Sequence, residues 1–331
     1  MSTVKGGNVR VDVILPAFNA QNTLTRAVES VIRQSALGQL IIVDDASTDG
    51  TRELIQTLCE QYANIVPVLL DENVGPAHAR NLAMQHSTAA WVTLLDSDDW
   101  MDDNRLSTLL DYAVQADADI VADDIFLHNV DGEPARLWQS APFTPFFMNA
   151  AFFAQMNIAE MTGEAREFGY IKPMFRADIL KRTPEPWRRS LRIMEDYDLY
   201  LRCLVAGDRF LFAPAAGYHY DRGTASRAHR SNDLRTIVKL DREVAKSIKD
   251  REARYWLGRH ADGLEALVLW VEIFGDRNIF AVPRAVIGSL QRPRLGLYLW
   301  RHFVEKLRGR RTAPPMTRDI PKGTPPDLFS S

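Results

Sequence analysis

The sequence predicts an α/β protein with a mostly parallel sheet and helices on both faces of that sheet. Between Val11 and Ala122, short apolar runs alternate regularly with longer segments of helical periodicity. Nearly continuous apolar runs are typical of strands buried on both faces, and alternation with helical segments of about 10–15 residues is typical of βαβ units. Polar residues directly follow three of the predicted strands, at the positions where ligands bind in such sheets.

Each element of this first half follows from its own pattern. Aliphatic runs predict strands at Val11–Leu15, Leu40–Val43, Ile65–Leu70 and Ala90–Leu95, and the start of a fifth at Asp119–Ala122. Amphipathic periodicity predicts helices at Thr23–Gln34, Thr51–Tyr62, Pro76–His86 and Asn104–Ala116. Pro76 suits the first turn of its helix, because the N–H that proline lacks is not needed there.

The pattern is looser in the second half of the chain. Local composition predicts a helix at Phe143–Met156, a strand at Tyr170–Phe175, a helix from Glu195 to a C-cap at Gly207, and a strand at Arg209–Ala213. After Asn232 the chain is largely helical, with many basic and aromatic residues. The Pro/Gly-rich tail from Thr312 is expected to be disordered.

Composition limits the class of protein. The 331 residues are 46% hydrophobic, enough for a full core, and the net charge of −3 argues against a nucleic-acid partner. Cys59 and Cys203 lie far apart on predicted helices, so we expect no disulfide and a reducing compartment. The polar start of the chain lacks the apolar core of a signal peptide, and no run of about 18 apolar residues occurs. We therefore expect a soluble, cytoplasmic protein.

Three carboxylates stand close together after the fourth predicted strand, at Asp96, Asp98 and Asp99. Like charges repel, and a hard divalent cation such as Mg²⁺ or Mn²⁺ offsets that repulsion with oxygen ligands from the protein and a phosphate substrate. A solvated turn with an aspartate as helix N-cap explains the same residues. The cluster alone leaves both explanations open.

The other strand ends strengthen the site hypothesis. Asn19 follows the first strand, and Asp44 and Asp45 follow the second. Because the carboxyl ends of parallel strands meet at one edge of a sheet, these residues should lie beside Asp96 and Asp98. Three strand ends that bring polar groups to one edge predict a ligand site there.

Five segments in this order resemble the family-2 inverting glycosyltransferases of the GT-A fold: Val13–Asn19, Ile42–Gly50, Asn73–Asn81, Leu95–Trp100 and Glu195–Tyr197. The resemblance covers roughly residues 10–225. Within the family, the sequence is similar to bacterial, succinoglycan-type exopolysaccharide enzymes. It implies a nucleotide-sugar donor, a divalent cation, Mg²⁺ or Mn²⁺, and transfer of one sugar with inversion at its anomeric carbon.

The resemblance assigns the donor-binding residues. Pro16, Ala17 and Asn19 would form the turn that walls the nucleoside. Asp45 would accept a hydrogen bond from an imide N–H such as that of uracil; a cap of the following helix is its alternative role. Arg80 would contact the base or hold Asp45; a surface arginine or a purely structural ion pair with Asp45 is the alternative.

The resemblance also assigns the metal and the base. Asp98 would coordinate the cation most directly, while Asp96 would contact the ribose or a metal-bound water, and Asp99 is expected to cap a helix. Asp196 would be the general base that removes the proton of the acceptor hydroxyl, with Glu195 in support. An ordinary acidic helix start explains Glu195 and Asp196 equally well without the upstream motifs.

A loop after the last predicted strand is a further donor-site candidate. Tyr218–Arg227 falls where related enzymes carry a flexible loop that closes on the diphosphate, and Arg222 or His219 would add positive charge there. Tyr218 and Tyr220 stand at alternate positions, so a strand face is the other interpretation of this segment.

We divide the chain into a disordered start at residues 1–9, a GT-A domain at residues 10–230, a helical region at residues 231–311 and a disordered tail at residues 312–331. Arg292–Arg311 contains seven Lys/Arg and one Glu among apolar residues. Such a helix suits an anionic membrane surface, or packs on the catalytic domain with its basic side in water.

The resulting prediction is a metal-dependent, inverting and non-processive glycosyltransferase. It would move one sugar, with glucose expected from the resemblance, from a UDP-sugar to a saccharide or a polyprenyl-diphosphate-linked oligosaccharide, at the inner face of the cell membrane. The Gln-x-x-Arg-Trp motif of processive synthases is absent from the sequence. Alternatives are a nucleotidyltransferase, although Pro16–Asn19 replaces the glycine-rich loop of those enzymes, and a non-catalytic partner that binds nucleotide sugars.

Overall fold

One large sheet organises the molecule. A computed structural model of the chain describes residues 9–128, 133–137, 144–158, 168–191, 193–221, 231–275 and 281–307. The strands within these residues are β1 (Val11–Ala17), β2 (Leu37–Asp44), β3 (Ile65–Leu69), β4 (Trp91–Leu94), β5 (Trp100–Met101), β6 (Ile120–His128), β7 (Ala135–Arg136), β8 (Phe146–Met148), β9 (Met174–Arg176) and β10 (Phe210–Asp221). Their order across the sheet is β3-β2-β1-β4-β9-β6-β10-β5, with β7 on β6 and β8 on β10.

The helices fall into two groups along the chain. The first group is α1 (Leu24–Ile32), α2 (Thr51–Gln61), α3 (Pro76–His86), α4 (Arg105–Gln115), α5 (Ala150–Met156), α6 (Ala177–Leu180) and α7 (Glu195–Ala206). The second group, at the C-terminal end, is α8 (Ser231–Ser247), α9 (Arg251–Trp270), α10 (Ala281–Gln291) and α11 (Pro293–Leu307). The division at residue 230 lies outside the described residues and stays a prediction.

The first half of the sheet has the predicted parallel arrangement. β1 lies between β2 and β4 and runs parallel to both. Ala17 is opposite Asp44, and Ile14 is opposite Leu94, so the carboxyl ends of the three strands lie at one edge. The residues of β1 up to Leu15 are buried without interruption, as expected for a strand covered on both faces. The α/β fold class is confirmed.

The second half of the sheet is mixed, which the local patterns did not indicate. β9 inserts between β4 and β6 and is antiparallel to both, whereas β6 and β10 are parallel to each other. A strand as short as β9 has too few residues to show a period of its own. Its position between β4 and β6 depends on tertiary packing, because the apolar side chains of Met174 and Phe175 are fully buried there.

Two predicted elements differ in the structure. The helix predicted at Phe143–Met156 is split: Phe146–Met148 pairs as a strand with β10, and only the part from Ala150 is helical. Asn149 separates the two, because its side-chain oxygen accepts a hydrogen bond from the amide of Phe152 at 2.8 Å and so caps α5. The strand predicted at Tyr170–Phe175 covers only Met174–Arg176.

The predictions for α7 and β10 are close to the structure. α7 begins at Glu195 and ends at Ala206, and its C-cap is Gly207, whose φ of +90° is the left-handed conformation that glycine adopts at helix C-termini. β10 is longer than the predicted strand and runs on to Asp221, with irregular register near Ala216. Tyr218 and Tyr220 therefore belong to a strand, as the alternative interpretation of that segment held.

The C-terminal helices pack against α5 and against one another. α9 lies against α5, α8 and α11. A small apolar cluster joins α9 to α10 and α11, formed by Ala266, Leu269, Ala285, Leu295 and Tyr298. Among the described helices, none is both long enough and apolar enough to cross a membrane.

Asp12 is a buried carboxylate near the start of the apolar strand β1. It is 1% exposed, and its two oxygens accept hydrogen bonds from the amides of Gln39, Thr88 and Ala89 and the hydroxyl of Ser87, at 2.8–2.9 Å. These donors belong to β2 and to the turn before β4, so one side chain fixes both neighbours of β1. Gly38 allows the approach, because a Cβ there would lie 2.4 Å from Asp12 Oδ1.

We expect Asp12→Asn to lower the free energy of unfolding by about 2–3 kcal/mol, because the new NH₂ group cannot accept the hydrogen bonds of the carboxylate oxygen that it replaces. Urea unfolding followed by circular dichroism measures this. Asp178→Asn is the matched control: its carboxylate is 71% exposed, and the change should stay within about 0.5 kcal/mol. Equal stabilities of the two variants would contradict the role given to Asp12.

Candidate active site

The polar residues at the strand ends meet at one edge of the sheet, as predicted. The amide of Asp45 donates to the carbonyl of Ala17 at 2.8 Å, which joins the end of β2 to the end of β1. Asn19 strengthens this link: its side-chain oxygen accepts a hydrogen bond from the backbone amide of Thr48 at 2.8 Å, and its backbone amide donates to Ser47 Oγ at 3.0 Å. Asn19 is exposed at this edge, Pro16 is half-buried and Ala17 is buried.

Asp45 organises the loop before α3. Its Oδ1 accepts from the amide of Val74 at 2.7 Å and its Oδ2 from the amide of Gly75 at 2.9 Å. Asp45 therefore caps the start of α3 rather than α2, the helix that follows it in the chain. Each carboxylate oxygen has a second lone pair, so these contacts leave acceptor capacity for a ligand.

Backbone strain is concentrated around this edge. Of the four non-glycine residues with positive φ in the described part of the chain, Asn19, Ala46 and Met194 flank the candidate site. Their φ values of +51°, +57° and +58° lie in the left-handed region that costs most residues free energy. Such conformations persist where the surrounding contacts over-determine the backbone, and the site provides those contacts.

Asp96 sits between two buried cations. Its Oδ1 is 3.0 Å from Arg80 Nη2, and its Oδ2 is 3.0 Å from Lys172 Nζ. Arg80 comes from α3, and Lys172 comes from the segment before β9. Both cations are 4% exposed. Arg80 is thus neither a surface residue nor an ion-pair partner of Asp45, which were the two alternatives to a role in the site.

Asp196 lies in the same cluster, at the start of α7. Lys172 Nζ is 2.9 Å from Asp196 Oδ2, and the indole N–H of Trp187 donates to Asp196 Oδ1 at 3.0 Å. Glu195 pairs directly with Arg80, whose Nη1 is also 3.7 Å from Asp196 Oδ1. The structure therefore brings together Asp96, which follows β4, and Asp196, which lies about 100 residues later at the start of α7.

The cluster contains two cations, Arg80 and Lys172, and three carboxylates. Burial alone would lower the pKa of Lys172, but Asp196 and then Asp96 raise that pKa well above its usual range. Burial would likewise raise the pKa of Asp96, but Lys172 and Arg80 lower it below the usual carboxylate range. Charged groups this deeply buried are stable only as hydrogen-bonded partners, so the cluster is a single electrostatic unit.

Asp99 does not cap a helix, which corrects the expectation from the sequence. It is fully buried and accepts from the hydroxyl of Tyr218 at 2.6 Å and from the amide of Asp221 at 2.8 Å. Burial raises the pKa of Asp99 well above its usual range, and the nearby charges of Asp96 and Asp98 add to this shift. Asp99 anchors the loop after β4 to the end of β10.

Asp98 is the exposed carboxylate of that loop. Its backbone carbonyl accepts from Arg26 Nη2 at 2.6 Å, and Arg26 in turn lies over Trp100 at 3.9 Å. The described residues contain no group of three or more metal-binding side chains. Magnesium bound with a substrate diphosphate needs only one or two protein carboxylates, so an exposed aspartate at a strand end fits such a cation. Both oxygens of Asp96 contact cations, Arg80 and Lys172.

The loop candidates after β10 fare differently. The ring of His219 is held between Trp100 and Phe126, at centroid distances of 5.0 and 4.9 Å. Its nitrogens lie 2.9 Å from His128 Nε2 and 2.9 Å from Asp102 Oδ1. Both ring nitrogens of His219 are therefore occupied by contacts with the protein. Arg222 lies outside the described residues.

Lys172 and Trp187 were not predicted as site residues from the sequence. Lys172 had a signal that we did not use: it is the charged residue in the apolar run Tyr170–Phe175. Trp187 had none, because its contact depends on Asn81, whose amide group brackets the tryptophan backbone through hydrogen bonds of 2.6 and 3.1 Å. Asn81 follows Arg80 in α3, so adjacent residues of one helix support both acids of the Glu195–Asp196 pair.

Comparison with known proteins gives the family. Residues 12–180 match the family described as Glycosyl transferase family 2. The succinoglycan biosynthesis protein ExoO of Rhizobium meliloti (strain 1021) is 30% identical over 235 residues, which are 70% of this chain and 66% of ExoO. ExoU of the same organism, also a succinoglycan biosynthesis protein, is 33% identical over 239 residues, 71% of this chain and 69% of ExoU. The matches thus span about two thirds of these relatives.

A solved structure shares the fold. The crystal structure of S. aureus TarS 1-349 in complex with UDP-GlcNAc superposes with a TM-score of 0.63, and the match covers 96% of this chain and 98% of that TarS chain, at 16% identity. At that identity the likeness concerns the fold, and it confirms the GT-A architecture inferred from the motifs. Together with the match of more than half the chain to one family, it supports a single conclusion. The chain is a family 2 glycosyltransferase of the GT-A fold.

Proposed function

We propose that the protein is an inverting, non-processive hexosyltransferase that moves one sugar, glucose in the first instance, from a UDP-sugar to a saccharide acceptor in bacterial polysaccharide biosynthesis. The observation that carries this proposal is the shared contact of Lys172 with Asp96 and Asp196, at 3.0 and 2.9 Å. It places the acids proposed for the donor and for the acceptor at one edge of the sheet, beyond the ends of its parallel strands.

The donor is proposed to lie along the ends of β1, β2 and β4. Pro16, Ala17 and Asn19 would wall the nucleoside, and Asp45 would accept a hydrogen bond from the imide of the base through a lone pair that the loop amides leave unused. TarS, which shares the fold, is solved with UDP-GlcNAc, and this supports the choice of a UDP-sugar. ExoO and ExoU are named for succinoglycan biosynthesis, which supports a polysaccharide pathway.

Arg80, Asp96 and Arg222 complete the proposed donor contacts. Arg80 Nε is buried and has no partner among the described residues, so this cation retains one donor toward a ligand that enters the cluster. Asp98 is proposed to hold Mg²⁺ or Mn²⁺, with Asp96 close by. When bound, this cation would neutralise charge on the departing diphosphate.

Asp196 is proposed to act as the general base. A hydroxyl of the acceptor attacks the anomeric carbon of the donor sugar from the face opposite the diphosphate. The new C–O bond forms as the bond to the diphosphate breaks, the hydroxyl proton passes to Asp196, and UDP leaves. Trp187 and Lys172 hold the carboxylate of Asp196, and Glu195 anchors Arg80 beside it. A carboxylate fixed in this way presents its remaining lone pairs in one direction.

The acceptor is proposed to be lipid-linked, an oligosaccharide on a polyprenyl diphosphate at the inner face of the cell membrane. Six of the eleven large hydrophobic side chains that are exposed in the described chain lie on α10 and α11: Val282, Val286, Ile287, Leu290, Leu297 and Trp300. We call them the apolar face of α10 and α11. The two helices carry four Lys/Arg and one Glu, which suits an anionic bilayer.

We expect Asp196→Asn to reduce sugar transfer on the order of a hundredfold or more, because the amide cannot take up the acceptor proton. The assay incubates labelled UDP-glucose with a membrane lipid extract and Mg²⁺ or Mn²⁺, and measures label in lipid. Asp178→Asn, at the opposite edge of the sheet, is the matched control and should transfer at the wild-type rate. A wild-type rate in Asp196→Asn would refute the base assignment.

For Asp98→Ala we expect loss of metal-dependent donor binding. UDP with Mn²⁺ should raise the melting temperature of the wild-type protein, and Asp98→Ala should abolish the part of this increase that requires Mn²⁺. UDP-sugars tested in the same thermal-shift assay rank the candidate donors. A metal-dependent increase that survives in Asp98→Ala would remove this residue from the cation site.

We expect charged substitutions on the apolar face of α10 and α11 to weaken membrane binding. Leu290→Glu and Leu297→Glu, at sites 79% and 59% exposed, should each lower binding to phosphatidylserine-containing vesicles by about tenfold or more, since a leucine loses its burial in the bilayer. Vesicle sedimentation measures this. Val114→Glu, at a 57% exposed valine on α4, is the control. Unchanged sedimentation of both leucine variants would exclude the surface.

A further inference from the structure

A buried polar network connects α7 to the C-terminal helices. The hydroxyl of Tyr197, which directly follows Asp196, donates to Asp241 Oδ1 of α8 at 3.0 Å. His260 Nδ1 of α9 lies 2.6 Å from Asp241 Oδ2 and 3.1 Å from the Tyr197 hydroxyl. The three side chains are 2%, 0% and 4% exposed, so no solvent competes for these bonds.

The chemistry of the network assigns its protons. A carboxylate only accepts hydrogen bonds, so the short contact requires a proton on Nδ1 of His260. Burial, and then the charge of Asp241, raise the pKa of Tyr197 well above its usual range, which keeps the phenol a donor. Asp241 therefore receives one hydrogen bond from each partner. A fully buried carboxylate is stable only with such partners, so Asp241 ties α7, α8 and α9 together.

The position of Tyr197 makes this tie relevant to catalysis. The backbone enters α7 through Met194, whose φ of +58° is the left-handed conformation that a methionine rarely adopts. A strained residue beside the first turn needs neighbours that hold the turn in place. Lys172 and Trp187 hold the carboxylate of Asp196, whereas Tyr197 is the residue of this turn that reaches the C-terminal helices.

Ring packing gives the network a fixed geometry. The Tyr197 ring lies 5.1 Å from the Phe153 ring at 26°, and 4.9 Å from the His260 ring at 31°. The Tyr197 ring thus packs against a ring of α5 and a ring of α9, while its hydroxyl is hydrogen-bonded to Asp241. Rotation of the first turn of α7 would break the stacking and the hydrogen bond at once.

We infer that Asp241 and His260 are positioning residues for the general base: through Tyr197 they fix the first turn of α7 and thereby the direction in which Asp196 faces the acceptor. This inference rests on the proposed role of Asp196. It makes the C-terminal helices part of the catalytic apparatus, although they lie beyond the residues 12–180 that match the family. A helical region added only for docking would have no need of a buried carboxylate aimed at the catalytic helix.

The test compares Tyr197→Phe and His260→Leu with the wild type in the UDP-glucose transfer assay. Both variants should lower kcat by about tenfold or more, because displacement of the base by a fraction of an ångström already disturbs the reacting geometry. KM for UDP-glucose should stay within about twofold, since the donor contacts lie on other elements. His260→Asn, which restores an N–H near the position of Nδ1, should recover most of the loss. Tyr298→Phe, a buried tyrosine of α11, is the control for a lost hydroxyl.

Hydrogen exchange provides a readout that does not depend on turnover. In Tyr197→Phe, amides of residues 195–206 should exchange at least about tenfold faster, while those of α1 and α2 keep their protection. Wild-type kcat and unchanged exchange in folded Tyr197→Phe and His260→Leu, alongside an inactive Asp196→Asn, would overturn this inference alone. An active Asp196→Asn would overturn the proposed base, and exchange would still report whether the network holds α7.

Discussion

Five largely buried charged side chains pair with one another in one cluster, and this pairing constrains the positions of the elements around the candidate site. Arg80 and Lys172 face Asp96, Glu195 and Asp196, and these five groups come from four places in the chain. Loss of any one partner would leave a charge without compensation in a medium that solvates it poorly, at a cost of several kcal/mol. The ends of β4, α3, the segment before β9 and α7 must therefore keep their relative positions.

The supports of the cluster extend into the core. The carbonyl of Lys172 accepts from Arg105 Nη2 at 2.6 Å, and Arg105 itself pairs with Asp123 at 2.8 Å, both almost fully buried. Asn81 fixes the backbone of Trp187 beside Asp196. The inserted strand β9, which interrupts the parallel order of the sheet, brings Lys172 to the edge where the strand ends meet. An irregular feature of the topology thus has a direct consequence for the site.

The first half of the fold was predictable because its signals are local. A buried strand such as β1 needs an apolar run, and a helix such as α3 needs a period and a proline at its start, so composition within a few residues suffices. The same holds for the convergence of Asn19, Asp45 and Asp96, because parallel strands place their carboxyl ends at one edge. Strands of three residues, such as β8 and β9, carry no period of their own: β8 was predicted as part of a helix, and β9 as a longer strand that begins at Tyr170.

Local patterns in the chain were sufficient to predict the fold class, the family and the positions of Asp45, Asp96, Asp98 and Asp196 at strand and helix ends, since each depends on residues close together in the chain. The partners of these residues became known only from the folded structure. Lys172 and Trp187 reach Asp196, Tyr218 buries Asp99, and Asp241 and His260 reach Tyr197, each across a long separation in sequence. A buried ion pair has no local pattern, because its energy depends on the partner and on the exclusion of water, and both arise only when the chain has folded.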